Sequence, residues 1–340
     1  MKKTLTFLSL LLSCLYLQAQ KKTQDSIKTF YKQLFLNLES SYLHKDEIDW
    51  KTVKSETESN LINYSSFESS LSEIKPLFDR IGADHCGVYY KNKHYSGTTR
   101  SMANLVNEEW KTKYASKPDY EVKTISDDIG YILMPKIIFF EVNEKNIRAA
   151  AQPIYDEISM LKARKQLRGW IIDLRLNTGG NSTPMLLALY DFLGNNTIWG
   201  SSGLDHKMQS TVKLDKGIYY DNSKRQGSIK PVPPLLDRSE VAVIIGPATA
   251  SAGEIVALAF QGRPNTIFIG EETYGATSGN IEATLPFGAV MALTTSIDTD
   301  RNGNIYPMIT PNLTIIKGDN FNDLLQDKKI EKAISHIKTL

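Results

Sequence analysis

The sequence predicts an α/β fold with a helical region at its N-terminal side. The apolar run 241–245 has no polar alternation, which is typical of a strand buried on both faces. A tight turn and a helical stretch at 252–260 follow it, and the run 170–174 leads in the same way to a helix at 183–193. Strands that alternate with helices in this manner indicate α/β architecture.

Five segments are predicted along the chain. Residues 1–20 form a signal peptide, and 21–80 form a helical region because apolar residues such as Ile27, Phe30 and Leu34 recur at helical spacing. Residues 81–125 form a connecting segment of mixed composition, 126–320 the core, and 321–340 a C-terminal helix. The core is further predicted to contain strands at 130–135, 266–270 and 290–297, a helix at 146–167, a loop-rich stretch with Pro231, Pro233 and Pro234, and a hairpin turn at 300–304.

Composition excludes some classes of partner. The chain has 340 residues, of which 41% are hydrophobic and 23% charged, and this is enough to bury a large core. The formal net charge of +2 gives no strong field toward nucleic acid or an anionic membrane, so we expect neither as a partner. The composition leaves the oligomeric state open.

The first twenty residues have the pattern of a secretory signal peptide. A basic start at 1–3 is followed by a mostly apolar stretch at 5–17 and by Ala19, the kind of small residue at which signal peptidase cleaves. We therefore expect export to the periplasm or the cell exterior. A lipid anchor at Cys14 is the alternative, disfavoured by the apolar residues after it. No later segment is apolar and long enough to span a membrane.

The chain contains two cysteines, Cys14 and Cys86. Removal of the signal peptide would leave Cys86 alone, so no intrachain disulfide is expected despite an oxidising compartment. We interpret Cys86 as a packing residue rather than a reactive thiol.

Ser251 stands where a nucleophile could lie. It follows the strand at 241–245 and a turn at Gly246-Pro247, and it precedes the helix at 252–260. Free N–H groups and the positive end of the helix dipole at such a position can stabilise a developing oxyanion. The alternative is that Ser251 is only an N-cap, a position that serine commonly fills.

The turn Asn177-Thr178-Gly179-Gly180 joins the other buried strand to its helix. Paired glycines allow backbone N–H groups to point into a cavity and allow another chain to approach closely. The turn could therefore supply an oxyanion donor or hold an extended peptide. The alternative is a simple connecting loop; a phosphate loop is excluded by the spacing and by the lack of a following Lys-Ser/Thr.

His85 is the histidine best placed to be a general base. It lies in the small-residue turn 82–87, whereas the other four histidines have strongly polar or terminal surroundings. Histidine accepts a proton near neutral pH without a large pKa shift, and the neighbouring Asp84 could orient it. A purely structural histidine is the alternative. No CxxC pair or HExxH pattern is present, so we expect no metal and no cofactor.

Two of these segments together resemble a known family. Residues 169–180, which read GWIIDLRLNTGG, and 248–254, which read ATASAGE, resemble the C-terminal processing (tail-specific) serine peptidases of family S41 and their tricorn-core-like relatives. Residues 270–275, 300–306 and 310–312 resemble later turns of the same family. The resemblance covers about 125–320, so 126–320 would be the peptidase core.

The resemblance implies a crotonase/Clp-like ββα superhelix, with Ser251 as nucleophile and the amides of Gly179, Gly180 and Ala252 as oxyanion hole. The processing proteases carry a lysine base after the 270–275 turn, but Ala276 and Thr277 stand there. Tricorn-like members use an earlier histidine, which His85 resembles. The stretch between His85 and the core is too short for the PDZ domain of many relatives.

The resemblance also bears on four acidic or amide residues. Glu254 is similar to a catalytic-site glutamate of the family, with a capping or solvated carboxylate as the alternative. The acidic residue that completes the relay in tricorn-like members has no clear match, although Asp298 and Asp300 lie in the right part of the chain. Asn312 replaces an aspartate that is usual in the family.

The sequence therefore predicts an exported serine endopeptidase that acts on peptides or unfolded proteins through an acyl-enzyme. A non-catalytic peptide-binding protein on a degenerate peptidase scaffold is the alternative. A crotonase-type acyl-CoA enzyme is disfavoured, because CoA is a cytoplasmic cofactor and the chain is expected to be exported.

Overall fold

Residues 23–102, 104–126, 128–139 and 141–339 are described by the computed structural model of the chain. The predicted signal peptide and Cys14 lie outside these residues. The helices are α1 (23–41), α2 (Trp50–Leu61), α3 (Phe67–Ser70), α4 (Ile74–Ile81), α5 (Glu108–Ala115), α6 (Glu144–Arg164), α7 (Ser182–Ala188), α8 (Tyr190–Leu193), α9 (Ala252–Phe260) and α10 (Lys328–Thr339).

The strands alternate with these helices through the second half of the chain, as the sequence predicts for an α/β protein. In chain order they are β1 (Gly87–Tyr90), β2 (Lys93–Ser96), β3 (Glu121–Ile125), β4 (Ile129–Leu133), β5 (Gly169–Asp173), β6 (Thr197–Ser202), β7 (Met208–Asp215), β8 (Ile218–Asp221), β9 (Lys224–Ser228), β10 (Glu240–Ile245), β11 (Thr266–Gly270), β12 (Ser278–Thr284), β13 (Val290–Asp300) and β14 (Leu313–Thr314).

The chain forms two compact units. The first contains the residues up to Arg100 together with Asn280–Thr295, and the second contains Ser101–Gly279 together with the residues from Ser296 onward. The strands β12 and β13 each run from one unit into the other. The five segments predicted from the sequence stay a prediction.

The first unit is mainly helical, which confirms the predicted helical N-terminal region. Ile27, Phe30 and Leu34 are fully buried, as their helical spacing requires. The helix α4 ends at Gly82, whose φ of 66° is the left-handed conformation in which helices commonly terminate. Strand β1 follows and pairs antiparallel with β2 and with 290–292 of β13.

The second unit is built on a six-stranded sheet in the order β14-β11-β10-β5-β4-β3, which is parallel except for β3. Helices cover both of its faces. Ile172 and Val243 pack with α6, α7 and α9 on one side, and Ile171 and Ile244 pack with α5 and α10 on the other. Burial on both faces explains why β5 and β10 read as apolar runs without alternation.

The second unit also holds an antiparallel sheet, formed by 297–300 of β13 and the successive strands β6, β7, β8 and β9. The sequence predicted a loop-rich stretch before Val241, and this prediction is wrong for 197–228. The strand β7 reads MQSTVKLD, and its exposed and buried positions alternate over Thr211–Leu214, which is the strand signal that this stretch contains. None of the helices described is apolar and long enough to traverse a bilayer.

The fold positions two turns side by side. The strands β5 and β10 are adjacent and parallel, with Val243 opposite Ile172. The turn 174–181 follows β5, and the turn 246–251 follows β10. Because the carboxyl ends of parallel strands meet at one edge of the sheet, both turns emerge there, where α/β proteins commonly bind ligands.

Candidate active site

Ser251 occupies a strained backbone position at the start of α9. Its φ of 51° and ψ of −115° are rarely adopted by a residue with a side chain, and such strain is concentrated at functional sites. The turn that leads to it is fixed by hydrogen bonds. The Thr249 hydroxyl donates to the Leu174 carbonyl at 3.0 Å, and the Ala250 N–H donates to the Asn177 carbonyl, also at 3.0 Å.

Glu254 holds the Ser251 backbone in place. Its side chain is fully buried. The carboxylate accepts the N–H of Ser251 at 3.0 Å and the N–H groups of Gly275 and Ala276 at 2.8 Å each. Burial raises the pKa of Glu254, and hydrogen bonds from Thr273 and these amides oppose the rise. One carboxylate thus connects the serine to the turn 273–276.

The Gly179-Gly180 turn lies directly beside the serine. A Cβ placed on Gly179 would lie 3.3 Å from the Ser251 Cβ and 3.7 Å from its Oγ. The N–H of Gly179 donates to the Asn177 Oδ1 at 3.2 Å. Among the residues that the structure describes, no acceptor takes the N–H of Gly180 or of Ala252. These two amides, rather than that of Gly179, are available to a ligand.

Gly180 is confined by its neighbour as well as by its backbone conformation. Its φ is 101°, and an added Cβ would lie 2.1 Å from the carbonyl oxygen of Ile137. Gly180→Ala should therefore lower the thermal unfolding midpoint. Gly82→Ala is the matched control, because Gly82 also has positive φ but open space around its Cβ position. We expect Gly180→Ala to lower the unfolding midpoint more than Gly82→Ala does. The control alone measures the backbone cost of a side chain at positive φ, roughly 1–2 kcal/mol. Equal losses in the two variants would contradict the steric clash with Ile137.

Asp298 and Asp300 have opposite surroundings in the second unit. Both carboxylate oxygens of Asp298 are buried without a hydrogen-bond partner among the described residues. Burial, with repulsion from Glu254, raises the pKa of Asp298 to about 8. Asp300 instead accepts hydrogen bonds from Asn302, Asn304 and Tyr306 within the 300–306 hairpin. The Asp300 carboxylate is thus used by the hydrogen bonds of the hairpin. The Asp298 carboxyl group is protonated, and so uncharged, at neutral pH.

The raised pKa of Asp298 predicts a pH-dependent stability. The folded chain keeps this proton up to about pH 8, whereas the unfolded chain releases it near the ordinary value of 3.8. Between these values the folded state binds more protons, so this group lowers stability as pH rises, by at most about 1.4 kcal/mol per pH unit. Asp298→Asn removes the effect and should gain stability relative to wild type between about pH 5 and 8, as measured by urea unfolding.

The matched comparison is Asp300→Asn, which should show the opposite trend. Burial raises the pKa of Asp300, but hydrogen bonds from Asn304, Asn302 and Tyr306 outweigh it and leave the pKa lowered. Asp300 thus contributes stability above the pKa of the unfolded chain that is lost as pH falls. A pH-independent difference between Asp298→Asn and wild type would show that Asp298 is not protonated in the folded chain.

His85 belongs to the first unit, in the turn between α4 and β1. Its carbonyl accepts a hydrogen bond from the Asn280 amide at 3.0 Å, and Asn280 in turn accepts from Thr294. Burial lowers the pKa of His85 below its usual value, and the attraction of Asp84 only partly opposes this. The imidazole is therefore uncharged at neutral pH, as a proton acceptor must be. Its pairing with Ser251 stays a prediction.

Cys86 lies next to His85 and is a buried free thiol. The thiol donates to the Thr294 hydroxyl at 3.4 Å, and burial raises its pKa. A high pKa keeps the sulfur in its unreactive form, which agrees with the interpretation of Cys86 as a packing residue.

Two contributors to the site were not assigned roles from the sequence. Asn177 links both turns, because its carbonyl holds Ala250 while its side chain holds Gly179. Thr249 closes its own turn by accepting the N–H of Gly246. Both residues stand within the two segments that resemble family S41, which is the signal that could have indicated them.

The fold and this site define a class: an α/β protein with a serine on a strained turn at a helix N-terminus, beside a glycine turn whose Gly180 amide is free. The model of peptidase family S41 matches residues 128–315, more than half of the chain, and the chain therefore belongs to peptidase family S41. The resemblance seen in 169–180 and 248–254 is thus confirmed, and family membership supports a peptidase.

The chain is similar to several known proteins. It is 28% identical over 271 residues to the nisin-resistance protein of Lactococcus lactis subsp. lactis, covering 79% of this chain and 77% of the relative. It is 28% identical over 195 residues to the carboxy-terminal-processing protease of Bartonella bacilliformis, covering 56% of this chain and 39% of that protein. A solved lipoprotein from Streptococcus agalactiae shares the fold, with a TM-score of 0.66, 21% identity and coverage of 92% and 96%.

Proposed function

We propose that this chain is an exported serine endopeptidase that hydrolyses peptides or unfolded proteins, with Ser251 as nucleophile and His85 as general base. One observation carries the proposal. Ser251 lies on a strained turn beside Gly179, and the free N–H groups next to it belong to Gly180 in the glycine turn and to Ala252 at the start of α9. Membership of family S41 supports the same class of reaction.

The proposed reaction has two stages. His85 takes the proton of the Ser251 hydroxyl as its oxygen attacks the peptide carbonyl, and the resulting oxyanion accepts the N–H groups of Gly180 and Ala252. The C–N bond then breaks, the amine leaves with the proton from His85, and the acyl group stays on the serine. Water, deprotonated by His85, hydrolyses this ester and restores the free hydroxyl.

Other residues support these steps without touching substrate. Glu254 is a positioning residue in this proposal, because its carboxylate fixes the backbone N–H of Ser251. Gly179 has no side chain and so allows its turn to approach Ser251 closely. Its own amide is bound by Asn177 and is not an oxyanion donor. The lowered pKa of His85 keeps it ready to accept a proton at neutral pH.

Export is the proposed location, supported by the signal-like pattern of residues 1–20 and by a structural relative that is a lipoprotein. Fractionation of cells that produce the full chain tests it. The expected result is protein outside the cytoplasm that begins after Ala19; a product retained in the cytoplasm with an intact N-terminus would contradict it.

A fluorophosphonate probe separates the proposed enzyme from a peptide-binding protein on the same scaffold. The alternative is favoured by Asp298, whose buried oxygens are engaged by no described residue and complete no relay within the second unit. An activated serine reacts covalently with the probe, whereas a binding protein does not. We expect one adduct, located on Ser251 and absent from Ser251→Ala and from heat-unfolded protein. Cleavage-free peptide binding without an adduct would establish the alternative.

A further inference from the structure

Behind the glycine turn, the second unit holds a fully interior group of charged side chains that the proposed chemistry does not use. We name it the Arg175 cluster. Its central side chain, Arg175, is 1% exposed, and the others are 5% exposed or less. The cluster consists of Arg175, Asp173, Asp319, Asp327 and Lys329.

The guanidinium of Arg175 uses its whole fork. Its Nε and Nη2 donate to Asp173 at 3.0 and 2.6 Å, and its Nη1 donates to Asp319 at 2.7 Å and to Asp327 at 2.6 Å. Its Cζ atom also lies 4.4 Å from the ring centre of Phe321. Only a planar, multidentate cation can bind three carboxylates in this way, because an ammonium group is a compact point charge.

Stability alone does not explain this cluster. Removing charges from water is unfavourable, and buried ion networks can often be replaced by apolar side chains without loss of stability. Burial lowers the pKa of Arg175, but Asp173, Asp327 and Asp319 raise it well above its usual value. Arg175 therefore keeps its charge, and the value of the cluster to the protein lies in the geometry that it imposes.

Hydrogen bonds at Arg175 and at Asn177, two residues later, connect the cluster to the glycine turn. The N–H of Arg175 donates to Asp173 at 3.1 Å, and its carbonyl accepts the Trp110 indole N–H at 2.8 Å. Both ends of this residue and its side chain are thus fixed. Two residues later, the carbonyl of Asn177 holds Ala250, the neighbour of Ser251.

We propose that Arg175 is a positioning residue for the reaction, and that the C-terminal segment carrying Asp319 and Asp327 acts through it to set the glycine turn against Ser251. The inference rests on the proposed function. It makes the C-terminal part of the chain, far from the serine in sequence, a component of the oxyanion site. A shift of the turn by a fraction of an ångström would misplace the Gly180 amide and leave substrate binding elsewhere unaffected.

The test uses Arg175→Lys in the full chain, because lysine keeps the buried positive charge but loses the fork. We expect kcat and the rate of fluorophosphonate labelling to fall by about 10- to 100-fold, with KM within about twofold of wild type. Asp319→Asn, which removes one of the three carboxylates, should give a smaller loss in the same direction.

The control is Asp191→Asn, which breaks a comparably buried ion pair with Lys162 that makes no hydrogen bond to either turn. It should lower the thermal unfolding midpoint while leaving kcat and the labelling rate unchanged. Wild-type rates in Arg175→Lys, or an equal loss of rate in Asp191→Asn, would overturn the inference.

A second readout separates this inference from the proposed function. Hydrogen–deuterium exchange of amides 176–180 should accelerate in Arg175→Lys and not in Asp191→Asn, whether or not the chain hydrolyses peptides. Wild-type protein that neither cleaves nor labels would contradict the proposed function alone. Unchanged exchange of these amides in Arg175→Lys would contradict the role of Arg175 alone.

Discussion

Replacing Ser251 with alanine should lower kcat/KM for an unfolded protein substrate by about 10⁴-fold or more, because loss of the nucleophile removes the acyl-enzyme route altogether. The fold should persist, since the Glu254 carboxylate binds the backbone N–H at this position, and alanine keeps that N–H. Hydrolysis of a casein-like substrate and the thermal unfolding midpoint measure the two effects separately.

Ser66→Ala is the matched control for the Ser251 substitution. Ser66 caps α3 in the first unit, where its side chain accepts the N–H of Ser69 at 3.1 Å. Its replacement should reduce stability by about 1 kcal/mol, the usual effect of losing a serine cap, without changing activity. If Ser251→Ala keeps full activity and merely loses stability as Ser66→Ala does, Ser251 is an N-cap and not a nucleophile.

Glu254→Ala should have the second largest effect, on stability and activity together. It leaves the N–H groups of Ser251, Gly275 and Ala276 without their acceptor in a buried site. Each orphaned donor costs about 1–3 kcal/mol, although water entering the space can recover part of this. The strained backbone of Ser251 also loses its main restraint, so we expect kcat to fall by about 100-fold.

Glu254→Gln tests whether the charge or the shape of the acceptor matters. The amide keeps one acceptor oxygen but turns an NH₂ group toward donors that need an acceptor. We expect an intermediate loss in thermal unfolding midpoint and in the labelling rate of Ser251. Wild-type stability and labelling in Glu254→Ala would show that the three hydrogen bonds are not what holds the serine.

The turns that form the site were predictable because their flanking strands are buried on both faces. Such strands leave apolar runs, as at β5 and β10, and the carboxyl ends of adjacent parallel strands bring the following turns together. The sequence therefore indicated Ser251 and the Gly179-Gly180 turn without knowledge of the fold.

Other features left too weak a signal in the sequence. The strand β9 reads KRQGS and contains no apolar residue, and β7 alternates between exposed and buried positions only over Thr211–Leu214, so these strands leave a shorter pattern than β5 and β10. The Arg175 cluster joins residues separated by 144 and 152 positions, and no local pattern reports such a pairing. The Gly179 N–H is bound and the Gly180 N–H is free because the Asn177 side chain folds back onto Gly179, and the sequence does not report this side-chain orientation.

The most direct measurement is the mass of the protein quenched in acid while it hydrolyses an activated acyl ester. A serine peptidase of the proposed kind must carry the acyl group on its nucleophile during turnover. The expected result is a gain of one acyl group on the peptide that contains Ser251, with no gain in Ser251→Ala. Turnover by wild-type protein without an adduct at Ser251, or an equal adduct in Ser251→Ala, would contradict the assignment of this serine as the nucleophile.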